Sequence, residues 1–522
     1  MRNPLREALG KGEFAITVEV VTPERAKPLD EALAPARKLG RGLAHDSRVA
    51  GLSVTDRVKS DDDHDPVLVA ADLAEASGKA PVVHLSGKDR TPVDFARTLG
   101  RLAGAGLENI LCVTGDRLKN PPIDRPVRYV DSVNAVRLAR ELVPGSFVAA
   151  GVSPFKYTEE ETLNQYLKMG KKHAAGAEYL ITQVGWDMRK LAELARYRAE
   201  QGLAQPVMAN LMVLPLGGAR FIHKGAVPGV VVTDDLLAIA ESEAQAPDKG
   251  RAARLARLAL QLVGAERLGY GGVQLSGLTA YEDVCRVLDL AAELRAGLPT
   301  VRAWWHAWDE SVRLPNGAPA RLGRDPGFRL YEGDPSAGAA GRPPAGARLR
   351  LAGLRAVHAV AFNRASPMYW LLRPLARHIP LDSPLAAWVA RAEHRIKGPL
   401  FGCQVCGFCR LPDTFYVCPE TCPKGLANGP CGGSTGNLCE AGDRECVHSV
   451  RYRIAKASGR LDQLARTLIP PVPEPRGGSS WLTHYAGRGP EVIRTPPESA
   501  RTMWTEGVVI VRRPPGRARE WG

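Results

Sequence analysis

The chain has 522 residues, 44% of them hydrophobic and 24% charged, with a formal net charge of +14. That is the make-up of a globular protein with a sizeable core, long enough for about three domains. No run approaches the ~20 apolar residues of a membrane span, and the start, MRNPLREALGKGEFAITVEV, lacks a signal peptide's apolar stretch. The expectation is a soluble, cytoplasmic protein with no membrane partner, in which ten cysteines mean metal or redox chemistry rather than disulfides.

From residue 14 to about 296, short apolar runs alternate with longer amphipathic segments. The runs are FAITVEV (14–20), VAGLSV (49–54), PVVHL (81–85), NILCVT (109–114), SFVAAGV (146–152), EYLIT (178–182), PVMANLMVL (206–214) and GGVQL (271–275). Near-continuous apolar strands, each followed by a helix, predict a parallel sheet covered by helices. Eight such units predict a (β/α)8 TIM barrel over residues 1–297. A doubly wound open sheet is the competitor, but no GxGxxG follows the first strand.

Residues 298–383 are rich in Gly, Pro and Arg and read as a weakly structured linker, with Trp304, Trp305 and Trp308 as anchors onto the barrel. Helical patterning returns at 384–397 and leads into a cysteine-rich metal-binding domain over 384–466; an extended basic tail is expected over 467–522. The excess charge lies in this second half. Residues 300–400 carry 15 Lys+Arg against 7 Asp+Glu, and 451–522 carry 13 against 6. A basic region of this kind suits nucleic acid or an acidic partner, but no aromatic-interleaved RNA motif accompanies it, so a solvated arginine-rich surface is expected.

In a barrel the chemistry sits at the C-terminal strand ends. The polar residues expected there are Glu19 on the first strand, Thr55 and Asp56 after the second, and His84 and Ser86 on the third. Thr114-Gly115-Asp116 follow the fourth, and Thr182-Gln183 the sixth. Glu19 stands between Val18 and Val20; a carboxyl among apolar neighbours keeps its proton to higher pH, which suits a general acid.

The set T17-V-E19-V-V-T-P23, V54-T55, V83-H84-L85, V113-T114-G115-D116 and I181-T182-Q183-V-G-W186-D187 resembles the methylenetetrahydrofolate reductase family. The resemblance spans about 280 residues in the family's order. It implies a flavin-binding barrel, with FAD, that reduces 5,10-methylenetetrahydrofolate to 5-methyltetrahydrofolate. By that resemblance Glu19 is the general acid for opening the imidazolidine ring, Asp116 lies beside flavin and pterin, and Gln183 reads the pterin edge. Thr55, His84, Thr114 and Gly115 match flavin-contacting positions. Lys171 and Lys172 match a basic pair that meets the cofactor's diphosphate; solvated helix charges are the alternative. The chain departs from the family pattern at Asp56, Gly151, Phe155 and Gln165. Those departures leave the FAD adenosine contacts and the nicotinamide platform unsupported, so either NAD(P)H or a protein could be the electron donor. A homo-oligomer is compatible with the sequence.

Eight cysteines, Cys403, Cys406, Cys409, Cys418, Cys422, Cys431, Cys439 and Cys446, follow C-x2-C-x2-C-x8-C-x3-C-x8-C-x7-C-x6-C. Closely spaced thiolates with intervening Gly and Pro are the pattern of metal ligation. The C-x2-C-x2-C run and the Cys-Pro pairs suit iron–sulfur clusters, and the pairs equally suit structural zinc. The surroundings, F401-G-C403 and N428-G-P-C431-G-G, resemble the C-terminal domain fused to some folate reductases, which implies iron–sulfur for electron entry. Cys112 and Cys285 read as packed small hydrophobes. Two other functions remain open: a non-redox pterin- or partner-binding barrel with structural zinc, and a folate-linked methyl-transfer component.

Overall fold

A computed structural model describes residues 1–124, 127–334, 336–474 and 476–495, and the backbone of 504–505 and 508–509. Eight parallel strands close a barrel in sequence order: β1 (Ala15–Val20), β2 (Gly51–Val54), β3 (Val82–Ser86), β4 (Asn109–Val113), β5 (Phe147–Val152), β6 (Tyr179–Thr182), β7 (Val207–Met212) and β8 (Gly272–Ser276). Pairing of β1 with β8, Thr17 opposite Gln274, completes the cylinder. The fold is the predicted (β/α)8 barrel.

Helix α1 (Pro4–Lys11) plugs the N-terminal end. Its Leu5 and Leu9 pack against Val82, Leu111, Phe147 and Tyr179 from inside the barrel. An amide pair fixes the plug: Asn3 Nδ2 donates to Asn109 Oδ1 at 2.7 Å, and Asn109 returns the bond at 3.1 Å. The helices that follow the strands are α2 (Leu29–Leu43), α3 (Pro66–Ser77), α4 (Pro92–Gly104), α5 (Ser132–Leu142), α6 (Glu159–Ala174) and α7 (Met188–Glu200). Then come α8 (Leu216–His223), α9 (Asp234–Glu243), α10 (Arg251–Arg267) and α11 (Tyr281–Gly297). The lower interior is apolar and the upper interior polar, because inward positions alternate along each strand and change character with height.

The region expected to be a weakly structured linker holds three helices among its described residues. It contains α12 (Val301–Ser311), α13 (Ala347–Ala361) and α14 (Pro367–His378), joined by an irregular stretch at 312–346. The Gly and Pro that suggested disorder are concentrated between the helices and at their starts. The tryptophans do anchor the region. Trp304 is fully buried, donates from Nε1 to Leu260 O at 2.8 Å, and lies where Gly264 of α10 has no Cβ. Helix α15 (Pro384–Phe401) precedes the cysteines; α16 (Val447–Ala457) and α17 (Leu461–Arg466) follow them. The first part of the expected extended tail holds α18 (Ser480–Ala486), packed on α14 and α15. Residues 496–503, 506–507 and 510–522 lie outside the described residues.

Helix α6 sits between barrel and cysteine module, so its charged residues are buried and must be paired. At its N-terminus Glu159 accepts from Lys456 Nζ at 2.6 Å and Tyr452 Oη at 2.8 Å, both on α16. Glu160 pairs with Arg453 at 3.3 Å. Further along, Lys168 Nζ donates to the Gly429 and Pro430 carbonyls at 3.3 and 2.9 Å.

Candidate active site and cysteine module

The barrel mouth is built from alternate residues of β1, β2, β3, β7 and β8. Gln274 Nε2 donates to Glu19 Oε2 at 2.8 Å, and Ser276 Oγ donates to Asn210 Oδ1 at 2.7 Å. Ser53 Oγ and His84 Nε2 are 2.8 Å apart. Burial pushes the Glu19 carboxyl up to about 7, against opposing hydrogen bonds from Ser276 and Gln274. Burial also pushes His84 down to about 4, so its imidazole is neutral near pH 7. Gln274 touches both groups. One mouth therefore holds a carboxyl that keeps its proton and a histidine that does not, the separation by environment that acid–base sites use.

The other sequence candidates fall into three sets. Gln183 is half-buried at the end of β6; its Oε1 accepts from Val184 N at 2.9 Å, and its NH2 has no protein partner among the described residues. Asp116 lies on the rim, solvent-accessible but walled by the protein around it. Desolvation raises its pKa, with Lys424 acting in the opposite direction and Glu440 in the same one. Gly115 has φ +83°, and a Cβ there would meet Lys88 Cβ at 2.7 Å, so the turn requires glycine.

The hydroxyl oxygens of Thr55 and Thr114 accept from backbone amides. Thr55 Oγ1 accepts from Thr22 N at 3.0 Å, and Thr114 Oγ1 accepts from Ser132 N at 3.3 Å. Asp56 is buried; burial alone would raise its pKa, but Arg90 at 2.5 Å, with Arg57, holds it below the usual carboxylate range. It also accepts from Ser86 N and Oγ at 2.8 and 2.9 Å, and so braces the rim.

Lys171 and Lys172 do not reach the mouth. Both are buried, Lys171 near Arg451 of α16 and Lys172 donating to the Gly151 carbonyl of β5, and burial drives both amines well below their usual pKa. The expected diphosphate contact is not available to them, nor are they solvated helix charges. For a flavin the fit is divided. His84, the Thr114-Gly115 backbone and Asp116 border the mouth and suit a ring edge, while this basic pair offers nothing to a dinucleotide's phosphates.

Two functional residues came from outside the barrel motifs. Gln274 was legible only as one polar residue inside an apolar strand. Lys424, between Cys422 and Gly425, donates to the Gly115 carbonyl at 2.8 Å and pairs with Glu440 at 2.5 Å. Glu440 in turn accepts from Arg117 N at 2.5 Å. The module thus clamps the turn that carries Asp116. Lys156, buried after β5, donates to the carbonyls of Gly432 and Ser434, each at 2.5 Å.

Electrostatically the eight thiols sort into two groups. Cys403, Cys406, Cys409 and Cys418 act on one another; Cys422, Cys431, Cys439 and Cys446 do the same. Cations flank both, Lys397 and Arg410 at the first, Lys156, Lys168, Lys424 and Arg451 at the second. Burial raises Cys422 to about 11 and Cys418 and Cys446 to about 12. Among the described residues no three His, Cys, Asp or Glu side chains converge closely enough to hold an ion.

Comparison with known proteins bears on both halves. Residues 4–241 match the family model described as methylenetetrahydrofolate reductase, and residues 385–473 match the one described as methylene-tetrahydrofolate reductase C terminal. A solved structure of an uncharacterised protein from Clostridium thermocellum, described as binding two copies of 5-methyl-5,6,7,8-tetrahydrofolic acid, is 13% identical. The match covers 56% of this chain and 99% of that one, with a TM-score of 0.42. No helix among the described residues is long and apolar enough to cross a membrane.

The shifted Glu19 carries a stability prediction. Its pKa rises from 4.5 unfolded to about 7 folded, so the unfolded chain gives up this proton first and the fold is penalised as pH rises between those values. Below 4.5 the penalty is absent, and above about 7 it is complete. Denaturant unfolding of wild type and Glu19→Gln across this range should show the variant gaining stability relative to wild type as pH rises. With the barrel's strand-end motifs and the module matched in order, the chain belongs to the methylenetetrahydrofolate reductase family and carries that family's C-terminal extension.

Proposed function

We propose that the barrel reduces 5,10-methylenetetrahydrofolate to 5-methyltetrahydrofolate, with Glu19 as general acid. The observation that carries this reading is the protonated carboxyl at the polar mouth, raised to about 7 and held by Gln274 and Ser276. Opening the imidazolidine ring needs a proton at the departing nitrogen, and a desolvated carboxylic acid supplies it near neutral pH. Gln183 offers its free NH2 to an acceptor on the pterin edge. Asp116, on the clamped turn, faces the cation that ring opening creates and stabilises it electrostatically. Neutral His84 and the glycine turn would border the flavin ring, which when bound would supply the hydride.

For the module we propose two centres, one on Cys403, Cys406, Cys409 and Cys418, the other on Cys422, Cys431, Cys439 and Cys446. Buried thiols stay protonated unless a metal compensates the thiolate charge, and metal binding releases those protons. A tetrathiolate zinc and a four-iron cluster both carry net negative charge, which is what the flanking lysines and arginines are suited to meet. Electron entry from NAD(P)H or a protein donor belongs to the iron–sulfur reading. Lys156 and Lys168, whose hydrogen bonds among the described residues go to carbonyls, favour an anionic centre beside Cys431 over free thiols.

Glu19→Gln should lower folate reduction by about a hundredfold or more while leaving flavin content and dithionite bleaching intact. Undiminished folate reduction would remove Glu19 from this role. Anaerobically purified protein should contain either about two zinc ions or about eight irons with matching sulfide per chain. Metal-free protein with eight titratable thiols would refute the two-centre assignment.

A further inference from the structure

Helices α13, α14 and α15 present apolar residues outward although their inner faces are already packed. On α15 the buried residues Ala386, Ala390, Glu393 and Lys397 mark the inner face. Leu385, Trp388, Ile396 and Leu400, each more than half exposed, follow the same helical spacing on the other side. On α14, Tyr369 and Ala376 pack on Leu482 and Tyr485 of α18, while Leu371 and Leu375 are 71% and 63% exposed. On α13, Leu349, Val357 and Val360 are exposed opposite Leu351. Among the described residues, 12 of the 22 exposed large hydrophobics fall within residues 347–401. A concentration of that kind marks an interaction surface rather than scattered exposure.

The same segment is strongly basic. It holds 9 Lys+Arg against 2 Asp+Glu, a net +7 out of the chain's +14. Glu393 and Lys397 are a buried pair at 2.6 Å. Among the described residues none of the eight arginines has a carboxylate within ion-pair distance; Arg373 lies over the Trp370 ring at 4.8 Å instead. Self-pairing of this segment would set +7 against +7, a cost that an anionic occupant does not meet.

A cavity of about 410 Å³, lined by Leu354, Val357, Ile396, Leu400, Phe401 and Tyr416, opens on this face. Its mouth residues Val357, Ile396 and Leu400 belong to the exposed stripe. Outward Trp and Leu flanked by arginine are the make-up of helices that lie in a membrane interface. The cavity separates a bilayer from a flat protein partner, since an acyl chain can enter it. We infer that the α13–α15 face docks on an anionic phospholipid surface, lying on it without crossing. The inference is independent of the chemistry in the barrel.

Flotation of the full-length protein with phosphatidylcholine vesicles, with and without phosphatidylglycerol, tests it. The protein should float with the anionic vesicles about tenfold more than with neutral ones, and less as salt rises. Leu371→Glu combined with Trp388→Glu should reduce flotation about tenfold, since both side chains point away from the core. Arg391→Gln with Arg395→Gln, which leaves the apolar stripe intact, should weaken binding to anionic vesicles only. A protein that stays at the bottom with both vesicle types would overturn the inference and leave the face to an acidic protein surface. Undiminished flotation of the apolar variant, with its thermal unfolding unchanged, would overturn it too.

Discussion

Burial of α6 on both sides is the constraint on which the rest of the structure depends. One face closes the barrel and the other is covered by α16 and the cysteine loops, so Glu159, Glu160, Lys168, Lys171 and Lys172 all lie out of water. An unpaired buried charge costs several kcal/mol. The module supplies the compensation: Lys456 and Arg453 for the two glutamates, backbone carbonyls at 429–430 for Lys168. Barrel and module are therefore parts of one energetic unit. A free barrel would return the outer face of α6 to water and lose the pairs made across it.

That coupling reaches the mouth. The chain segment whose carbonyls receive Lys168 and Lys156 also carries Lys424 and Glu440, which grip the turn at Gly115–Arg117. Occupation of the thiol groups would stiffen these loops, so the position of Asp116 is linked to the state of the module through Lys424. Glu19 and His84 stand on the strands themselves, where barrel packing fixes them. The site thus combines rigid groups set by the sheet with one rim acid set by the extension.

Much of the barrel was legible in the sequence because its strands are continuous apolar runs and its polar interruptions fall at strand ends. Glu19, His84 and Gln183 stood out for that reason. Gln274 did not, since a single amide in GGVQL carries no signal until the barrel closes β8 onto β1. A basic pair on a helix looks solvated or ligand-facing, but Lys172 is buried against the barrel at Gly151 and Lys171 beside Arg451, more than two hundred residues downstream, which the local sequence does not show. The helices at 301–311, 347–361 and 367–378 were hidden by Gly and Pro clustered at 312–346 and at helix starts, which biased the whole region towards irregular structure. The apolar stripe of α15 was written in its spacing, but which side faces out depends on α18.

The most direct test of folate reduction uses the reverse half-reaction. Protein purified anaerobically with its flavin would be titrated with 5-methyltetrahydrofolate while the visible spectrum is recorded. The flavin bands should bleach as the folate is oxidised, and Glu19→Gln protein should bleach far more slowly. A spectrum unchanged by saturating methyltetrahydrofolate, in protein whose flavin still bleaches with dithionite, would contradict it.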